Sequence, residues 1–152
     1  MRTQRYRLVL AVLAIIAILV VVLVISFPFD PQSNLPVRIT YTLEPSTVLE
    51  NEPASLTFSI TNANETFHEV QFVFNTEDRV DVYAGSEQLL VDKTYNFSLG
   101  DYERFQVREF TIVASLEENV ASSRYQIKVL VNLDGQVVPE LTKDIYLTVT
   151  ES

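Results

Sequence analysis

Catalysis by side chains needs a nucleophile beside a base, a tuned acid–base pair, or a metal held by clustered ligands. This 152-residue chain offers few of those ingredients. It has no cysteine, which removes thiolate nucleophiles, disulfides and cysteine metal sites together. Its one histidine, His68, stands in Thr66-Phe67-His68-Glu69, a stretch that reads as a loop entering a strand. No second histidine can join it on a zinc ion. A Ser-His-Asp triad is available in form, but the Gly-x-Ser-x-Gly turn that presents such a serine is missing. His68 is therefore expected to be an ordinary surface side chain.

Carboxylates cluster at Glu77-Asp78-Arg79-Val80-Asp81 and at Glu117-Glu118. Calcium takes six to eight oxygens, and Glu77, Asp78 and Asp81 would supply three. The Asp-x-Asp-x-Asp-Gly spacing of a calcium loop is absent and Arg79 sits inside the cluster, so a solvated turn is expected. No glycine-rich phosphate loop occurs. No catalytic, metal or cofactor site is expected. Two Asn-x-Ser/Thr tripeptides stand at Asn64-Glu65-Thr66 and Asn96-Phe97-Ser98. They would accept glycans if exported. Asn64 falls in a predicted loop, and Asn96 in a predicted strand whose neighbours Tyr95 and Phe97 point inward.

All twenty acidic residues lie at or beyond Asp30, whereas three of the eleven basic ones, Arg2, Arg5 and Arg7, precede a long apolar run. The acidic remainder argues against nucleic acid, whose phosphates require Lys and Arg. It argues equally against lying flat on anionic lipid.

Residues 8–27 read LVLAVLAIIAILVVVLVISF, with Ser26 the one polar side chain. Twenty residues at 1.5 Å each span about 30 Å, the thickness of a hydrocarbon core. The run is apolar on every face, so it reads as a spanning helix rather than a surface helix. Its bulky end, Ile25-Ser26-Phe27-Pro28, lacks a small-residue cleavage site, which favours an uncleaved anchor over a signal peptide. Arg2, Arg5 and Arg7 place the N-terminus, residues 1–7, in the cytoplasm and the rest outside. Ala11, Ala14 and Ala17 put small residues at three-residue spacing, a stripe that permits close helix packing.

Residues 28–36 hold Pro28, Pro31 and Pro36 and read as a short stiff spacer. From Val37 the apolar period becomes two, the strand signature. It runs through Val37/Ile39/Tyr41/Leu43, Leu56/Phe58/Ile60, Val70/Phe72/Phe74, Val80/Val82, Tyr95/Phe97/Leu99 and Tyr125/Ile127/Val129/Val131/Leu133 to Ile145/Leu147/Val149. Phe105 and Val107 lead to Phe110 and Ile112 with a slip of phase, which predicts a bulge. A helical turn would fit only 86–91. Asp134-Gly135 is a hairpin turn expected to join the last two strands. Tyr125 has the place of a tyrosine corner. Breakers about every ten residues give an all-β sandwich of seven or eight strands over 37–150.

Four stretches resemble the small immunoglobulin-like modules of prokaryotic, especially archaeal, surface proteins, the CARDB and S-layer-associated adhesion-type group. They are Leu43-Glu44-Pro45 with 56–62, Phe97-Ser98-Leu99-Gly100-Asp101, Phe110-Thr111-Ile112, and Tyr125-Gln126-Ile127-Lys128-Val129. The resemblance implies binding or assembly of surface proteins rather than an enzyme. An accessory single-helix subunit of a larger membrane complex, such as an enzyme, a transporter or an archaellum stator-type assembly, is the alternative. Either way the expected partners are the membrane and proteins on or in it.

Overall fold

Alternation of inward apolar and outward polar residues governs the computed structural model, which describes residues 34–64, 66–90, 93–100 and 105–151. The apolar run at 8–27, with Ala11, Ala14 and Ala17, lies outside the described residues, as do Arg2, Arg5, Arg7 and residues 28–33 of the spacer. Among the described residues no helix is long and apolar enough to cross a membrane.

Eleven strands occur there. They are β1 Val37–Glu44, β2 Thr47–Leu49, β3 Pro53–Asn62, β4 His68–Asn75, β5 Val80–Ala84, β6 Glu87–Gln88, β7 Thr94–Leu99, β8 Phe105–Ala114, β9 Ser122–Leu133, β10 Gln136–Val137 and β11 Lys143–Thr150. Eight have five or more residues, matching the expected number, and β2, β6 and β10 are two- or three-residue additions. One sheet runs β1-β3-β8-β5-β6 and the other β2-β11-β9-β4-β7, with β10 also on β9.

This pairing has an immunoglobulin-like order. β1-β3-β8-β5 corresponds to strands A-B-E-D, and β4-β9-β11 to C-F-G. β7 adds a strand beside β4, though it follows β5 in the chain instead of preceding it. The first strand is divided between sheets. After β1 the chain turns at Glu44-Pro45, whose peptide bond is cis, and β2 lies parallel to β11 in the opposite sheet. The Tyr125 hydroxyl donates to the Ser115 carbonyl at 2.7 Å, so the tyrosine corner is present.

The two inner faces enclose one core. Phe58, Phe72, Phe74, Phe97 and Phe110 are buried at its centre. Ring centroids lie 4.7 Å apart for Phe58–Phe72, 4.8 Å for Phe74–Phe110 and 5.1 Å for Phe72–Phe97, in tilted and edge-on contacts that aromatic rings prefer. Each such ring taken from water contributes about 1.5–3 kcal/mol.

Three local expectations need correction. β8 is continuous from Phe105 to Ala114 and pairs with β3 one residue against one, so the bulge is absent. Phe105 and Val107 therefore face outward and are exposed, while Gln106 and Arg108 take the inward parity. The stretch after Ser86 forms β6 against β5 instead of a helical turn. Asp134-Gly135 does make a hairpin, but with β10; a 3-10 turn at Pro139–Leu141 separates that strand from β11.

Candidate functional site

The two buried polar side chains among the described residues, Asn62 and His68, lie where the chain enters the sandwich. Four connections meet there. Ala63 N–H donates to the Pro36 carbonyl at 2.6 Å, joining the start of β1 to the β3–β4 loop. Asn62, fully buried, donates its amide to the Thr66 carbonyl at 2.9 Å and to the Gly100 carbonyl at 2.6 Å, joining that loop to the end of β7. Its own side-chain oxygen accepts Asn64 N–H at 3.2 Å. Asp134 and Gly135 both have positive φ, 51° and 79°, as a type I′ turn requires. The turn is locked on β4 by Asp134 N–H to the Glu69 carbonyl at 2.8 Å and Glu69 N–H to Asp134 Oδ1 at 2.9 Å.

His68 sits between these loops and is 5% exposed, contrary to the expected surface position. It opens β4 with its side chain inward. Its Nδ1 lies 2.7 Å from Asp134 Oδ2 and its Nε2 3.0 Å from Asn64 Oδ1. Asn64 Oδ1 also accepts Thr66 N–H at 3.0 Å, an Asx turn that fixes which end of the amide faces the ring. Both ring nitrogens thus face oxygen atoms. The hydrogen bond from His68 holds the Asp134 carboxyl below the usual aspartate value, helped by the Glu69 N–H and the histidine charge and opposed by partial burial. The two nitrogens are taken by a carboxylate and an amide, with no hydroxyl on either, so the pair pins loops together and lacks the geometry of a nucleophile and its base.

Beside the pin runs an open groove of about 410 Å³. Leu35, Pro36, Leu133, Val138, Pro139 and Leu141 give it apolar walls, and His68, Asp134 and Glu140 its polar side.

The other expected residues are dispersed. Among the described residues no group of three or more His, Asp or Glu side chains could hold a metal ion, so Glu77, Asp78 and Asp81 are not assembled into a cation site. Arg79 turns instead to the Leu116 carbonyl at 3.0 Å and to Glu117 at 3.7 Å. Asn64 is half-buried in the pin. Asn96 is exposed on the outer face of β7, as expected, and accepts the Gln71 amide at 2.9 Å; Gln71 in turn accepts the Asn132 amide at 2.5 Å, a row of amides across three strands.

Two residues escaped the sequence reading. Asn62 shares the parity of Ala54, Leu56, Phe58 and Ile60, and counting by twos along β3 would have placed it inside. Arg108 was hidden by the supposed bulge. Its guanidinium stacks 4.8 Å from the centroid of Phe97 and binds Gln106 and the Val107 carbonyl, while its buried Nε has no hydrogen-bond partner.

No family model matches the chain, and no curated protein matches it in sequence. Solved structures resemble it in fold. They include the CARDB domain of a Pyrococcus furiosus protein in complex with di-metal ions, 18% identical over 82% of this chain and 100% of that one, TM-score 0.49. A FixG-related protein from Vibrio parahaemolyticus is 11% identical over 77% and 97%, TM-score 0.49. A type III cohesin module of a cell-surface anchoring scaffoldin from Ruminococcus flavefaciens is 12% identical over 83% and 94%, TM-score 0.45. At such scores no activity, ligand or partner passes from them to this chain.

Proposed function

We propose that the chain is a membrane-anchored interaction module, non-catalytic, with its immunoglobulin-like sandwich outside the cell and engaged with surface or membrane proteins. The observation that carries this reading is the twenty-residue apolar run at 8–27 with arginines on one side only, joined by a short proline spacer to an acidic sandwich. The engagement of the sole histidine in a structural pin is consistent with it. Outward orientation would also put Asn64 and Asn96 where glycans are added. Protease added to intact cells should remove the sandwich, and gentle detergent extraction should bring a surface protein with it. Protection in intact cells with loss only after lysis would reverse the orientation and end the proposal.

The alanine stripe supports a second reading, an accessory subunit held through its helix. Replacing Ala11, Ala14 and Ala17 by Leu should then release the chain from its complex, whereas loop substitutions should not.

A further inference from the structure

Seven phenylalanines lie in the described residues, and five are buried. The two exposed ones, Phe67 at 53% and Phe105 at 64%, stand at the same end of the sandwich. Val137, 56% exposed, belongs to that end too. Their grouping follows from the bonds above. Phe67 follows the loop that Asn62 ties to Gly100, Phe105 pairs with Thr61, and Val137 pairs with Asn132 next to the turn pinned by His68. The groove with Leu35, Val138 and Pro139 on its walls is lined by Val137 as well. This is also the end at which the chain arrives, since Pro36 and Val37 are part of it.

Covalent connection then decides what this end meets. Residues 28–34 separate the apolar run from Leu35 and Pro36, which already belong to this end. Fully extended, seven residues reach about 25 Å. A tether that short keeps the end near a membrane that holds the run, so weak apolar contacts suffice.

We propose that this end rests on the uncharged face of a lipid bilayer, with Phe67, Phe105 and Val137 seated among the headgroups. The proposal rests on the anchor reading above. Charge selects the lipid. Glu69, Asp134 and Glu140 rim the end against one exposed arginine, Arg38, and acidic residues outnumber basic ones by twenty to eight beyond the apolar run. Anionic headgroups would repel such a surface, and zwitterionic ones would not. The contact is end-on, through Phe67 before β4 and the end residues of β8 and β10, unlike the flat docking that the acidic faces oppose.

The chain has no tryptophan, so single-tryptophan variants report position directly. The full chain carrying Phe67→Trp, Phe105→Trp or Val137→Trp would be reconstituted in phosphatidylcholine bilayers containing brominated lipid. Leu49→Trp, beside Thr150 at the opposite end of the sandwich, is the reference. Lipid-borne bromine should quench the first three and spare the reference, and admixed phosphatidylserine should weaken the quenching. A chain that stays in the bilayer at alkaline pH but shows no more quenching at the first three positions than at Leu49→Trp overturns the docking and leaves the anchor standing. The same unquenched result with cross-linked dimers through this end assigns it to a second copy and also overturns the docking. A chain extracted by alkali loses the anchor reading and the docking together.

Discussion

Asn62 and His68 are the two fully or nearly buried polar side chains among the described residues, and both serve the end where the chain enters. Asn62→Ala would strand the Thr66 and Gly100 carbonyls without their donor. A loss of about 1–3 kcal/mol is expected, read as a lower urea midpoint with an unchanged slope. Asp134 gives a pH signature. Its folded pKa is depressed, so the unfolded chain binds the proton more readily. The stabilisation is therefore complete above the unfolded value, about 3.9, and disappears as pH falls through the lower folded value. Melting temperatures of the wild type and Asp134→Asn should differ at pH 6 and converge toward pH 3; a constant gap would remove the carboxylate from the account. Because the Asp134 side chain is 51% exposed, the gap should be small. His68 shares the parity of Val70, Phe72 and Phe74 on β4, as Asn62 shares that of Leu56, Phe58 and Ile60 on β3, so counting by twos would have placed both inside. What was not legible is the partner of His68, since Asp134 lies sixty-six residues away and meets it only because β9 pairs with β4.

At the scale of elements, β8 shows why apolar residues alone can misplace a strand. Phe105 and Val107 look like core and stand outside because β3 fixes the register in its partner, with Ser59 opposite Val107 and Phe58 opposite Arg108. β5 covers only the far half of β8, so among the described residues the stretch from Phe105 to Phe110 has one edge unpaired by main chain. An inward-pointing charge on such an edge opposes pairing with another chain. Arg108 is placed to be that charge, and its buried Nε without a hydrogen-bond partner would lower stability. Arg108→Met should leave stability unchanged or raise it, since a thioether can fill the space over Phe97 without a buried unsatisfied donor. The same variant should associate in a concentration-dependent way in light scattering. Monomeric behaviour at all concentrations would deny Arg108 the protective role. Strands with clean alternation, β3, β4, β9 and β11, were legible throughout, whereas the place of Tyr125 fitted a corner or a plain strand tyrosine equally, and its bond to Ser115 decides for the corner. Tyr125→Phe should lower stability by about 1 kcal/mol, the net value of one such bond.

For the whole molecule the decisive asymmetry is chemical and lies in the sequence: three arginines before the apolar run, and no lysine or arginine after it until Arg38. On the anchor reading proposed above, cationic residues resist transfer to the outer side, whereas acidic ones contribute little to orientation, so the twenty carboxylates would not by themselves decide which end crosses. Replacing Arg2, Arg5 and Arg7 by Ser should therefore give a mixture of orientations. Moving the charge, with the same replacements plus lysines at Asp30, Gln32 and Ser33, should favour the inverted one. Asn64 and Asn96 serve as internal reporters in a glycosylation-competent membrane, because transferase acts on one side only. In the wild type at least one of them should gain a glycan, removed by Asn64→Gln with Asn96→Gln, and the sandwich should be open to external protease. In the charge-moved chain both signals should fall together. If protease access stayed complete while the arginines were gone and the lysines in place, orientation would be set by export of the folded-to-be sandwich itself, since long segments translocate largely regardless of charge. The arginines would then be bystanders, and the outward placement of the domain would rest on its length.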